Sequence, residues 1–181
     1  MPINAPNVLT VGRICLVPLL TAMLLTGEPG PLYAATALFG VLALTDVADG
    51  YLARSRNLVT TFGRIMDPVA DKLLVGAALV SLVAVDRLAV WLAVVVVVRE
   101  AAVSALRWLA STRGVVIASS TVGKAKTGVQ MTTIVVLMLA PDPSAAWLAP
   151  LLAVMATITI VSGLDYLVGY VRASAGRPQP A

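Results

Sequence analysis

Long apolar runs, broken by short stretches carrying proline, glycine or charge, set the pattern of this chain. A helix needs about 20 apolar residues to cross the hydrocarbon core of a bilayer, and six segments of that order can be drawn: 8–26, 32–54, 60–85, 88–112, 120–139 and 145–171. The first is stopped by Gly27, Glu28, Pro29, Gly30 and Pro31, the third by a turn at Asp86 and Arg87, and the fifth by Pro141, Asp142 and Pro143. The pattern predicts an all-α integral membrane protein with six transmembrane helices. Residues 1–172 form one domain, followed by a polar tail at 173–181. The first run has no basic residue ahead of it and no small-residue cleavage pattern at its end, so it reads as a retained helix rather than a signal peptide. No internal repeat is apparent.

Composition supports the bilayer as solvent. Of 181 residues 59% are hydrophobic and only 12% charged, and a soluble fold would leave large apolar patches in water. The formal charge of +4 suggests no nucleic acid here, because the basic residues gather at helix ends, where anionic headgroups lie. The connections after the first, third and fifth segments hold Glu28, Asp86 and Asp142 with one basic residue, Arg87. The opposite side carries Arg54, Arg56, Arg64, Arg113, Lys124, Lys126, Arg172 and Arg177. By the positive-inside rule that side, with both termini, is cytoplasmic, and the protein belongs in the cell membrane. There is no histidine, and Cys15 is the single cysteine. Ser-His-Asp and Cys-His catalysis, zinc sites of the Cys/His type and an intrachain disulfide are thereby excluded.

Against that apolar background four aspartates stand out. Asp46 and Asp49 are three apart and Asp67 and Asp71 four apart, so on helices each pair shares a face. Two such faces turned together make a box of four carboxylates, with Gly50, Ala53, Arg54 and Gly63 between the pairs. Four anions in a low-dielectric medium must bind cations or take up protons. An all-oxygen cage suits hard cations such as Mg²⁺, Mn²⁺ or Ca²⁺. At about 1.5 Å per residue, Asp46 lies roughly 12 Å from Arg54, and Asp71 roughly 16 Å from the start of its helix. Both pairs therefore fall in the cytoplasmic half of the bilayer. Arg99 and Glu100 fall near its midplane, and intramembrane ionisable groups are costly enough to suggest function. Metal carboxylates bordered by basic residues suit phosphate chemistry on a lipid: cations orient a diphosphate while a carboxylate takes a proton from an attacking hydroxyl.

The stretch DVADGYLARSRNLVTTFGRIMDPVAD, Asp46 to Asp71, fits D-x-x-D-G-x-x-A-R-x8-G-x-x-x-D-x-x-x-D without a departure and resembles the signature of the CDP-alcohol phosphotransferase family. PNVLTVGRICLVP, DPVADKLLV, VVVVREAAVSALR and VGKAKTGVQ are similar to members whose acceptor is sn-glycerol 3-phosphate, and extend the likeness up to about Met131. The resemblance implies a six-helix, usually dimeric membrane enzyme that moves a phosphatidyl group from CDP-diacylglycerol to an alcohol and releases CMP. Carried over, it implies that Asp46, Asp49 and Asp67 hold two Mg²⁺ or Mn²⁺ ions, with Asp71 near the second ion and acting as the base. It implies a cytidine diphosphate site lined by Gly50, Ala53, Arg54, Thr60 and Gly63, closed by Asn7 and Thr10. For the phosphate of glycerol 3-phosphate the available cations are Arg99, Arg107, Lys124 and Lys126.

Plainer readings stand beside these. The aspartates could be helix-end charges paired with Arg54, Arg64 and Lys72. Arg56 suits a topology signal, and Arg99 with Glu100 suits a polar contact that fixes helix packing. Lys124 and Lys126 could contact anionic lipid; Arg107 and Arg113 lean to the interface. Trp91, Trp108 and Trp147 suit interfacial belts, Cys15 is a small packing residue, and Asp165 has no visible partner. The same fold with inositol phosphate, serine or phosphatidylglycerol as acceptor is the nearest rival. A cation transporter is a rival of another class, but the repeated broken helices of transporters are missing from the pattern.

Overall fold

The computed structural model describes residues 5–55, 61–112 and 121–175, and within them the side chains apart from those of 5–6, 47–55, 61–62, 64–65, 121 and 175. The described residues are all-helical, in the order α1 (Ala5–Leu25), α2 (Pro29–Ser55), α3 (Thr61–Ala84), α4 (Val90–Thr112), α5 (Thr121–Leu139) and α6 (Leu148–Ala175). Each coincides with one expected segment, with shifted ends. α2 begins at Pro29 rather than at residue 32 because a proline in the first turn gives up an N–H that has no intrahelical partner anyway; Leu32 N–H donates to the Glu28 carbonyl at 3.0 Å. α6 starts at Leu148 and continues through Ala175, four residues beyond the expected end. Arg172 in its last turn complements the negative end of the helix dipole.

Two ends are closed by left-handed residues. Gly27 has φ 66° and donates its N–H to the Leu24 carbonyl at 3.2 Å, the conformation glycine adopts without strain. Asp86 has φ 56°. Its N–H reaches the Val83 carbonyl at 3.1 Å and that of Arg87 reaches Leu82 at 2.8 Å, the paired bonds of a Schellman cap. The expected turn at Asp86 and Arg87 is therefore present, with an aspartate where glycine is commoner.

By backbone contacts the chain divides into two compact units, residues 1–88 with 134–143, and 89–133 with 144–181. In the first unit α1 packs against both α3 and α2. Its buried apolar side chains include Leu20, Leu24, Phe39, Leu74, Leu79 and Leu82, with Ile134, Leu137 and Met138 from the end of α5. Arg87 Nη1 donates to the carbonyls of Leu137 at 3.0 Å and Ala140 at 2.7 Å, satisfying acceptors that the end of α5 leaves unpaired. In the second unit α4 packs against α6, with Leu92, Val96, Val103, Leu148 and Met155 buried.

Large apolar side chains also lie on the outside of every one of α1 to α6 except α5's first half: Val11, Leu19, Val41, Leu44, Val80, Val98, Trp108, Leu139, Val161 and Leu164 are all exposed. Among the described residues two helices, Asn7–Leu25 and Leu148–Ser174, are long and apolar enough to cross a membrane. In α3, α4 and α5 the apolar run is interrupted by the charged residues of the candidate sites. Buried hydroxyls meet their needs locally: Thr36, Ser81, Thr133 and Thr159 each donate to the carbonyl four residues back, at 2.6 to 2.8 Å, as hydroxyls do in apolar helices.

Candidate active site

The first unit builds its polar site on α1. Asn7, Thr10 and Arg13 are spaced by three, so they form a stripe on one face of the helix. That face is turned inward: the three residues are 7%, 3% and 2% exposed. Val8, Leu9 and Val11 are exposed instead, so the first half of α1 is apolar outside and polar inside.

Both acidic helices reach this stripe. Thr10 Oγ1 donates to Asp67 Oδ1 at 2.6 Å, joining α1 to α3. Arg13 Nη1 donates to Asp46 Oδ1 at 2.5 Å, an ion pair in which the Asp46 side chain is 37% exposed and which joins α1 to α2. Thr10 and Arg13 sit about 4.5 Å apart along the helix axis, so the two carboxylates, remote in sequence, are fastened to neighbouring points of one helix. Asp71 follows one turn after Asp67 and is partly buried. Pro68 lies inside α3, where its missing N–H removes one helical hydrogen bond from the acidic turn. Lys72 Nζ donates to the Pro68 carbonyl at 3.3 Å, a backbone acceptor rather than a carboxylate.

Among the expected nucleotide-site residues, Asn7, Thr10 and Gly63 are buried. Asp49, Gly50, Ala53 and Arg54 fall on the last turns of α2, where side chains lie outside the described residues, and Thr60 lies outside them altogether. Among the described residues no three acidic, histidine or cysteine side chains alone form a group that could hold a metal ion; the expected box also needs Asp49. In donor chemistry the described part fits a hard divalent cation. It offers only oxygen ligands, and in neither α1 contact does the carboxylate use its Oδ2. Three carboxylates, Asp46, Asp67 and Asp71, also carry more negative charge than the one guanidinium of Arg13 offsets.

Arg13 is the residue that sequence reasoning missed. Its signal was present: a lone arginine in an apolar helix, three residues after Thr10. A surface-seeking arginine would run its side chain to the helix end, whereas this one turns into the interior.

The second unit holds a separate charged cluster. Glu100 Oε1 accepts from Arg99 Nη1 at 2.9 Å and from Lys126 Nζ. Lys126 is 4% exposed. Two of the four expected phosphate-binding cations, from α4 and α5, are thus brought to one carboxylate. The other two stand apart from it: Lys124 is exposed, and the Arg107 guanidinium lies 5.9 Å from the ring centre of Tyr166, within cation–π range. Gly163 leaves room for Arg99; a Cβ there would come 3.2 Å from Arg99 Cγ. Asp165 is exposed.

A family model described as CDP-alcohol phosphatidyltransferase matches residues 3–161. The CDP-diacylglycerol–glycerol-3-phosphate 3-phosphatidyltransferase of Bacillus subtilis (strain 168) is 38% identical over 179 residues, covering 90% of this chain and 93% of the relative. The cardiolipin synthase (CMP-forming) of Oryza sativa subsp. japonica is 40% identical over 156 residues, covering 78% of this chain and 47% of that protein. In fold the chain is similar to the crystal structure of Mycobacterium tuberculosis phosphatidylinositol phosphate synthase in complex with manganese and citrate. The TM-score is 0.72 at 21% identity, over 98% of this chain and 88% of that one.

Proposed function

The chain belongs to the CDP-alcohol phosphatidyltransferase family, and from that membership we propose that it transfers the phosphatidyl group of CDP-diacylglycerol to sn-glycerol 3-phosphate, giving phosphatidylglycerophosphate and CMP. The observation that carries the reading is the fastening of Asp46 and Asp67, from two helices, to adjacent turns of α1. The relative from Bacillus subtilis, whose name states that reaction and which matches along 93% of its length, supports the choice of acceptor.

In this reading Asp46, Asp49, Asp67 and Asp71 hold two Mg²⁺ or Mn²⁺ ions, which when bound neutralise and orient the diphosphate. Asn7, Thr10, Gly50, Ala53, Arg54, Thr60 and Gly63 line the nucleotide's place, the glycines admitting it close to the backbone. Asp71 accepts the proton of the acceptor hydroxyl as that oxygen bonds to the phosphorus bearing diacylglycerol. The bond from that phosphorus to the CMP oxygen breaks, and CMP leaves. Arg99, Lys126, Lys124 and Arg107 are assigned to the acceptor's phosphate, Arg99 and Lys126 held ready by Glu100.

The apolar exterior, together with the asymmetry of basic residues between alternate helix ends, supports six spans with both termini and the active site on the cytoplasmic side of the cell membrane. The protein works there among membrane lipids as a homodimer. The family match takes in residues of both units, and residues 1–172 are read as one functional domain.

The deciding experiment incubates the purified protein with CDP-diacylglycerol and a panel of labelled alcohols and identifies the lipid formed. Label from glycerol 3-phosphate should enter lipid with release of CMP. Exclusive labelling from inositol phosphate, serine or phosphatidylglycerol would replace the acceptor, and no CMP with any of them would overturn the transferase reading.

A further inference from the structure

Thr10 makes a contact that the other buried threonines among the described residues do not, a hydrogen bond to a carboxylate on another helix. Thr36, Thr133 and Thr159 turn their hydroxyls onto their own helix, four residues back. Thr10 Oγ1, buried to 3% exposure, donates across to the carboxylate of Asp67 on α3 at 2.6 Å. One turn later Arg13 does the same for Asp46 on α2 at 2.5 Å. A guanidinium buried to 2% exposure gives up much of its hydration, and a place in the interior needs a compensating partner there. From these contacts we infer that Thr10 and Arg13 are positioning residues: α1 sets the orientation of the two carboxylates, leaving Oδ2 of each to meet a divalent cation.

The inference rests on the cation-binding reading of the aspartates and adds that their geometry is imposed by a third helix with no acid of its own. An aspartate on a helix turns about χ1 and χ2, and a bond to one oxygen removes most of that freedom. The ordering entropy is then met during folding rather than when the cation binds. Groups that hold metal ligands in this way typically change metal affinity by about 10- to 100-fold when removed. Thr10 is the cleaner probe, since Thr10→Val changes neither charge nor, to a first approximation, shape. For Arg13 the charge-conserving Arg13→Lys is the right variant; it keeps the repulsion between cation and site while losing the guanidinium's reach.

The test measures Mn²⁺ binding to the full-length protein in detergent, without nucleotide, from the loss of the free-ion electron paramagnetic resonance signal. Thermal melting in EDTA serves as the control for folding. Thr10→Val and Arg13→Lys should each bind Mn²⁺ about 10-fold or more weaker, with Thr10→Ser restored to the wild-type value. Thr10→Val within twofold of wild type, with only its KM for CDP-diacylglycerol raised, would overturn the inference and leave Thr10 as a nucleotide contact. Loss of Mn²⁺ affinity in Thr10→Ser as large as in Thr10→Val would also overturn it. Should Thr10→Val fail to fold, Thr10→Ala compared with Thr10→Ser poses the same question. Wild-type protein binding no more Mn²⁺ than Asp67→Asn would instead remove the cation reading on which the inference stands.

Discussion

Replacing Glu100 by glutamine should harm the protein more than removing either of its cationic partners. Glu100 Oε1 accepts from Arg99 and Lys126, whose side chains are 13% and 5% exposed. The triad carries one negative and two positive charges. Glu100→Gln removes the negative charge that both cations share, whereas Lys126→Met leaves the neutral pair of Arg99 and Glu100. Uncoupling a buried pair costs about 3–5 kcal/mol, and the Glu100 side chain is 24% exposed, which favours about 3 kcal/mol. Loss of one charged hydrogen bond in Lys126→Met costs about 1.5 kcal/mol. For a chain of this size each kcal/mol lowers Tm by roughly 2–4 °C. Glu100→Gln should therefore melt about 6–12 °C below wild type in detergent, and Lys126→Met about 3–6 °C below. Melting would be followed by helical circular dichroism at matched lipid and detergent content. Equal melting of Glu100→Gln and wild type would mean that the cluster is solvated and holds no buried charge in check, and a larger loss in Lys126→Met would mean that Glu100 is not the centre of the cluster.

Asp71→Asn should abolish CMP release while the protein stays folded in detergent by helical circular dichroism; near-normal turnover would remove Asp71 as the base. Chelation by EDTA should stop the reaction, with Mg²⁺ or Mn²⁺ restoring it, and activity that survives thorough chelation would rule out the metal carboxylates. Lys124, exposed on α5, should leave Tm unchanged when replaced by alanine. The same change should raise the KM for glycerol 3-phosphate several-fold, with that for CDP-diacylglycerol constant; an unchanged KM would place the acceptor's phosphate elsewhere.

The helices were legible because their signal is local. Twenty apolar residues without a break can do little else, and prolines and glycines mark where they stop. The errors sit at ends, where local rules are weakest. Pro29 and Pro31 read as a terminator of the first helix, yet Pro29 also opens the second, because in a first turn neither the missing N–H nor the ring meets a preceding helical turn. The aspartates were legible for another reason, since spacings of three and four put each pair on one face whatever the helix packs against.

What no spacing could reveal is which helix receives those faces. The sequence by itself determined that Asp46 and Asp67 had to find positive charge or hydrogen-bond donors, because carboxylates in an apolar medium cannot stay without them. Only the packing of α1 between α2 and α3 decided that Thr10 and Arg13 would answer that need, for contacts spanning 57 and 33 residues leave no periodicity along the chain. The same holds for Lys126, which on sequence alone was one of two equivalent basic residues at a membrane face. Its burial against Glu100, with Lys124 left exposed, follows from the turn of α5 toward α4, and a single residue's rotation about a helix axis is settled by tertiary contacts alone.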